Sequence, residues 1–353
     1  MSYPITAVVF PAPGEVEIEE FVLPPLGEED VLVRSLYTMV SPGTELRMWG
    51  GAARFPFVPG YATIGEVIEV GSRVQGYRVG DLVSGRSCKR LFGEGRYNCG
   101  GHASGHHFPT LGEDRAVLLP PGAEALDYVI AEISSICLRG ASAARPRREE
   151  TAVVIGQGLI GALAAGWLQS YGCRVVVTDL EEGRLERALA RGAFAAVPGR
   201  EPDAAARIQA YLNGGADLVV ESSGSIPGAQ LAYSLVRAKP RSVPYVEGAF
   251  YRGEPIGSFH TLWPRLVMQA SYTEEVSIHP HGFFPGEGVV LLTPGDRSLE
   301  DRQNAVAALW QGHIKAADFL DRILSPHEAP QAYQTLRDDK NRYFSVVFDW
   351  SKV

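Results

Sequence analysis

The sequence predicts an α/β protein: an irregular, mostly β domain followed by a doubly wound parallel sheet. Three observations carry that expectation. Through residue 124, short β-branched runs alternate with Gly and Pro turns. From residue 125 the texture changes to Ala- and Leu-rich stretches of helical period between short apolar strands. One of those strands runs directly into a glycine-rich turn and a helix. The length of 353 residues fits two domains at roughly 100–200 residues each.

In chain order, ITAVVF, VEIEEF, DVLVRSLY, GEVIEVG, GDLVSG and RAVLLPPG are the strands of the first domain, residues 1–124. In the second domain, residues 125–297, the parallel strands are TAVVIG, CRVVVTD, AFAAVPG, ADLVVESSG, SVPYVEGAF and LVMQASY, with helices separating the earlier ones. Residues 275–298 carry Pro, Gly, His279 and His281 where a short connection would suffice, and are expected to form a functional loop or a dimer contact. Residues 298–353 return to the first domain as two helices, LEDRQNAVAALWQG and APQAYQTLRD, and a closing strand, YFSVVFDW.

Hydrophobic residues at 45% and charged residues at 21% exclude a disordered or collagen-like chain. A net charge of −8 argues against a nucleic-acid or anionic-membrane partner and for a small-molecule substrate. The start of the chain lacks a basic region followed by an apolar one, and no apolar run reaches the ~18 residues of a membrane span, so a cytoplasmic location is expected. Cys88, Cys99, Cys137 and Cys173 form no CxxC pair and read as reduced thiols.

Residues 151–184 carry the most specific pattern. The strand TAVVIG enters Gly156-Gln157-Gly158-Leu159-Ile160-Gly161 and then an Ala/Leu helix. Gly156 permits the tight turn, Gly158 lets the backbone approach a pyrophosphate, and Gly161 lets the helix pack on the strand, as in a Rossmann dinucleotide site. The phosphates would sit at the helix N-terminus, where amides and dipole favour an anion. Asp179 ends the next strand at the expected distance of about 20 residues, where a carboxylate accepts from both ribose hydroxyls and repels a 2′-phosphate. NAD is the expected cofactor. Arg184, one helical turn on, either meets the adenine ribose, offsets Asp179, or is a solvated helix arginine. The competing reading of the whole motif is a structural turn.

With these residues the chain resembles the medium-chain dehydrogenase/reductase superfamily. The resemblance rests on VPGYATIGEVIEVG and VGDLV, VVIGQGLIG and GADLVVESSG, and APQAYQTLRDDKNRYFSVVFDW. It implies a GroES-like β domain, a Rossmann domain and a chain that finishes in the first. Zinc-bearing relatives place a Cys ligand where this sequence has Pro42 and a His-Glu pair where it has Tyr61 and Ala62, with a third ligand near Ile133 and Glu132. Proline, tyrosine and alanine are not ordinary zinc ligands, so no metal is expected. The pair SPGTE and VPGY is most similar to a branch containing bacteriochlorophyllide hydroxyethyl dehydrogenases and sugar or cyclitol dehydrogenases.

Without a metal, a side chain must stabilise the developing alkoxide and move its proton. The resemblance places Tyr61 in the position of a histidine ligand, making its hydroxyl the first acid/base candidate; its other reading is a packed core tyrosine. Thr44 matches the family's proton-relaying hydroxyl and Glu45 stands beside it, although both also suit a structural turn. His102, with His106 and His107 in GGHASGHHFP, has the right intrinsic pKa for proton transfer, but each reads first as a solvated loop histidine. Ser223 and Gly224 in ESSG, and Gly248 in VEGAF, fall at the carboxyl ends of Rossmann strands, where relatives meet the ribose and nicotinamide. The expected function is NAD(H)-dependent, zinc-independent hydride transfer to or from a secondary alcohol or ketone, by a homodimer. A zinc-free quinone or enoyl reductase and a non-catalytic dinucleotide-binding protein are the alternatives.

Overall fold

The computed structural model describes residues 3–86, 100–237, 264–270, 289–339 and 343–353, with the backbone of strands at 97–98, 241–245, 250–251, 254–255 and 258–262. Gly248, His279, His281, Cys88 and Cys99 lie outside the described residues. The chain forms two compact units, one of Met1–Leu138 with Asp296–Val353, the other of Arg139–Gly295. The division therefore falls later than residue 124. The start of the helix Ala131–Ala144 is tied to the first unit by Glu132, whose buried carboxylate is held by Ser84, Arg297 and Arg302.

In the first unit, Asp30–Met39 is the central strand of a seven-stranded sheet among the described residues. It pairs antiparallel with Thr63–Val70, Gly105–Pro109 and the C-terminal strand Val346–Asp349. The expected closing strand is thus observed, with Phe348 opposite Thr38. Phe10, Trp49, Tyr333, Phe348 and Trp350 pack into one apolar cluster behind it. Pro42, in what the sequence suggests is a turn, instead starts the short helix Pro42–Arg47; its fixed φ suits the first helical position, where no amide is needed.

Among the described residues the second unit contains a sheet of six parallel strands in the spatial order Ala195–Pro198, Arg174–Asp179, Thr151–Ile155, Leu218–Glu221, Arg265–Met268 and Val290–Leu292. This is the doubly wound order, which reverses direction between Thr151–Ile155 and Leu218–Glu221 and places ligands beyond the strand carboxyl ends there. Two expectations need correction. Arg241–Tyr245, from SVPYVEGAF, does not join the parallel sheet but pairs antiparallel with Ser258–Leu262; Pro244 lacks the amide that a central strand needs. Val290–Leu292, inside the segment expected as a loop, is the edge strand. Among the described residues no helix is long and apolar enough to cross a membrane.

Candidate functional site

Thr151–Ile155 is almost wholly buried and delivers the chain to Gly156, whose φ of +85° lies in the left-handed region. A Cβ on Gly156 would come within 2.8 Å of the Ser223 nitrogen, and one on Gly161 would overlap the Gly156 carbonyl oxygen. Packing alone therefore requires these two glycines. Gly158 differs: it caps the helix Leu159–Ser170 in an extended conformation, and an added Cβ would meet only Arg184 Nη1, at 3.8 Å. The space over Gly158 is open, as close approach of a ligand requires. No side chain caps the amides of that first helical turn. Leu159 is buried, so what it offers a dinucleotide is its backbone.

Asp179 closes this cradle. Its Oδ2 accepts the Gln157 amide at 2.5 Å and its Oδ1 accepts the Glu181 amide at 2.9 Å. An ionised carboxylate offers roughly four lone-pair sites, so acceptor capacity remains for ribose hydroxyls. Arg184 Nη1 stands 3.6 Å from Asp179 Oδ2, so the pair is close enough for partial charge compensation. The Gln157 side chain is buried, with Nε2 donating to the Gly156 carbonyl at 3.2 Å. Beyond the neighbouring strand, the buried carboxylate of Glu221 accepts the Ser223 hydroxyl, the Ser223 amide at 2.7 Å and the Gly224 amide at 3.3 Å. Sequence reasoning found Ser223 and Gly224 but missed Glu221; an acid ending the apolar run ADLVVE was the available signal.

In the first unit the Tyr61 hydroxyl donates to Ser41 Oγ at 2.6 Å, and the Thr44 side chain is close enough to favour the ionised phenol slightly. Burial raises the Tyr61 phenol pKa above its ordinary value; Ser41 and the Arg297 charge offset this only in part. The phenol therefore keeps its proton at neutral pH. Ser41 is itself fixed by Glu45, whose Oε1 accepts the Ser41 amide at 2.8 Å. Glu45 is buried and also receives the Tyr333 hydroxyl and bonds His102 Nε2, at 3.0 Å, through Oε2.

His102 is fully buried rather than a solvated loop residue, in contact with the edge of Phe348. The Trp350 indole donates to Thr38 Oγ1 at 2.9 Å, leaving the Thr38 proton for His102 Nδ1 at 2.8 Å. In a neutral imidazole this order assigns the remaining proton to Nε2, facing Glu45. His102 and Glu45 thus have their polar atoms engaged inside the protein, with Glu45 holding the Ser41 amide. His106 and His107 are also buried, on the strand Gly105–Pro109. Burial pushes His106 down to about 4.

Arg297 was not found from sequence, because no local pattern links it to Tyr61. Its guanidinium carbon lies 5.0 Å from the centre of the Tyr61 ring. Glu132, in the region expected to supply the third metal ligand, is instead bound by Arg302 through Nε at 2.9 Å and Nη2 at 2.8 Å, and by Arg297 Nε at 3.3 Å. Among the described residues no group of three His, Cys, Asp or Glu is placed to hold a metal. The donor set around Pro42, Tyr61, Ala62 and Glu132 does not fit a zinc ion.

Two family models match the chain: alcohol dehydrogenase GroES-like domain over residues 27–120, and zinc-binding dehydrogenase over residues 160–273. Sorbitol dehydrogenase of Halalkalibacterium halodurans is 27% identical over 257 residues, covering 64% of this chain and 71% of that protein. The structure of a short chain alcohol dehydrogenase from Escherichia coli in complex with NADH superimposes with a TM-score of 0.79 at 19% identity, over 98% of this chain and 99% of that one. A putative zinc-binding dehydrogenase from Sinorhizobium meliloti bound to NADP gives a TM-score of 0.76 at 20% identity, with the same coverage. With its GroES-like β unit, its doubly wound parallel sheet and both matching models, the chain belongs to the medium-chain dehydrogenase/reductase superfamily of oxidoreductases.

Proposed function

We propose that this protein is an NAD(H)-dependent, zinc-independent alcohol dehydrogenase or ketone reductase acting on a small polar metabolite, with Tyr61 as its acid/base. The observation that carries this is the Tyr61 hydroxyl, protonated and hydrogen-bonded to Ser41 at 2.6 Å beside Thr44, on the family scaffold where zinc-bearing members place a ligand. When bound, the nicotinamide dinucleotide supplies or accepts the hydride. Gly158 and the first amides of the helix Leu159–Ser170 hold its pyrophosphate, and Asp179 accepts from its ribose hydroxyls.

The proton is the protein's task. In reduction the Tyr61 phenol delivers it to the carbonyl oxygen, and in oxidation the same oxygen of Tyr61 receives it from the alcohol. Ser41 and Thr44 pass the balancing proton to or from water. Glu45, held by His102 and Tyr333, keeps Ser41 in register without touching substrate.

Zinc independence is supported by the residues at the ligand positions and by the engagement of Glu132 with two arginines. NAD preference is supported by the Asp179 charge. The sorbitol-type relative supports a polyol as substrate. Fluorescence titration with NADH and NADPH, elemental analysis, and assay with sorbitol and NAD test the three parts. Tighter NADPH binding, one zinc per chain, or absence of turnover across polyols and their ketones would each remove the corresponding part.

A further inference from the structure

Arg297 is buried, yet its guanidinium is incompletely used. Nε donates to Glu132 at 3.3 Å and Nη1 to Asp296 Oδ1 at 3.0 Å, whereas Nη2 has no hydrogen-bond partner among the described residues. Arg302, on the same Glu132 carboxylate, is different: its Nε, Nη1 and Nη2 all have acceptors. A buried unpartnered donor is costly to a fold, and a ligand oxygen is one way to complete it. The group is also rigid, being gripped from two sides by carboxylates, and it lies against the Tyr61 ring.

We propose that Arg297 is a catalytic residue whose Nη2 hydrogen-bonds to the reacting oxygen of the substrate, and that the site accepts an uncharged carbonyl or alcohol rather than a carboxylate or phosphate. This rests on the dehydrogenase reading above. Two features set the ligand class. A carboxylate or phosphate is gripped by two adjacent guanidinium nitrogens, and here only one is free, which suits a single oxygen. The local charges also balance: Arg86, Arg297 and Arg302 are paired with Asp114, Asp296 and Glu132. No surplus positive charge remains for a permanent anion. A fixed donor aimed at a transient negative charge is what carbonyl reduction needs, because it requires no reorganisation as the charge develops. Tyr61 supplies the proton and Arg297 stabilises the oxygen that takes it.

The test uses 4-(dimethylamino)cinnamaldehyde, whose absorption moves to the red when its carbonyl oxygen is polarised, bound together with the non-reducing analogue 1,4,5,6-tetrahydro-NAD. The wild type is expected to shift the band; Arg297→Met is expected to bind the aldehyde without the shift, and Arg297→Lys to keep part of it. With sorbitol and NAD, Arg297→Met should lower kcat by about 10²–10³, the usual effect of losing one such donor, and added guanidinium ion should restore part of it. Circular dichroism confirms that the variants fold, since Glu132 retains Arg302 and Ser84. An unshifted band in a wild type that binds NADH, or a shift that survives in Arg297→Met, overturns the role of Arg297 alone. Failure of the wild type to bind NADH overturns the dehydrogenase reading instead.

Discussion

Arg302 grips Glu132 with Nε and Nη2 across 170 residues of sequence, joining the helix Leu299–Trp310 to the start of the helix Ala131–Ala144 inside the first unit. Both side chains are almost fully buried. Burial raises the Glu132 pKa, but the charges of Arg302 and Arg297 outweigh it, and the carboxyl ends below its ordinary value.

Glu132→Ala would leave two buried guanidinium groups facing a void. The expected cost is about 3–5 kcal/mol, the usual penalty for breaking a buried ion pair from one side. Urea denaturation followed by circular dichroism measures it. Because the folded pKa is depressed, the stability from Glu132 is present above its unfolded value and is lost as pH falls through the folded one. A loss under 1 kcal/mol would show that the cluster relaxes or takes in water.

His106 gives a second acid-sensitive term. Burial lowers it from 6.5 to about 4, so the unfolded chain binds a proton before the native state does. Stability from the neutral ring is complete above pH 6.5 and declines as pH falls to about 4, by about 3 kcal/mol at 1.36 kcal/mol per pKa unit. His106→Phe, beside Phe108 at a ring separation of 5.2 Å, should flatten that part of the stability curve. An unchanged slope would assign the acid sensitivity to other groups.

Tyr61→Phe removes one hydroxyl and keeps the ring beneath Arg297. The expected result is a fall in kcat of at least ~10² with NADH affinity unchanged, the signature of lost general acid–base catalysis. Because the phenol pKa is raised, carbonyl reduction by the wild type should show no Tyr61-dependent decline below pH 10. An unaltered kcat would return the tyrosine to a packing role and shift attention to Thr44.

Gly158 and Gly161 separate folding from binding. Gly161→Ala drives a methyl into the Gly156 carbonyl and should lower Tm, whereas Gly158→Ala meets open space and should leave Tm unchanged while weakening NADH. Thermal melts and fluorescence titration on the two variants decide this. Equal NADH affinity in Gly158→Ala would place the pyrophosphate elsewhere.

Asp179→Asn should narrow the preference for NADH over NADPH, and it also weakens the acceptor of the Gln157 amide. Hydrogen bonds to a charged group contribute about 1.5–3 kcal/mol, so NADH affinity should drop by about 10-fold or more. A preference ratio identical to that of the wild type would show that the carboxylate acts only on the loop.

The second unit was the more legible half of the fold. The four inner strands Thr151–Ile155, Arg174–Asp179, Leu218–Glu221 and Arg265–Met268 each carry a continuous apolar run, because both faces are covered. Val290–Leu292, short and half exposed at the edge, has no such signature. For the sites, Gly156 to Gly161 and Asp179 were visible because the turn, the helix and the acid are local in sequence. Tyr61 was visible only through family resemblance. Ser41 was in view within SPGTE without a role, and Arg297 had none, since what brings it to Tyr61 is the return of the chain to its first unit. The histidines misled because GGHASGHHFP has the glycine content of a solvated loop, while Phe348, from the distant C-terminal strand, packs on His102, and Thr38, itself bonded by Trp350, holds its ring.

The strand Val346–Asp349 lies beside Asp30–Met39, and Trp350 completes the bond order running through Thr38 and His102 to Glu45. During synthesis the first unit must therefore wait. The ribosome emits the whole of Arg139–Gly295 before the C-terminal partner of the strand Asp30–Met39 exists, so the later unit can complete its sheet first. Until the last residues emerge, the Tyr37–Met39 end of that strand is a short open sheet edge, exposed to pairing with another chain. Translational stalling or premature termination near residue 340 would release a protein with its nucleotide-binding sheet intact and its Tyr61 network unclosed.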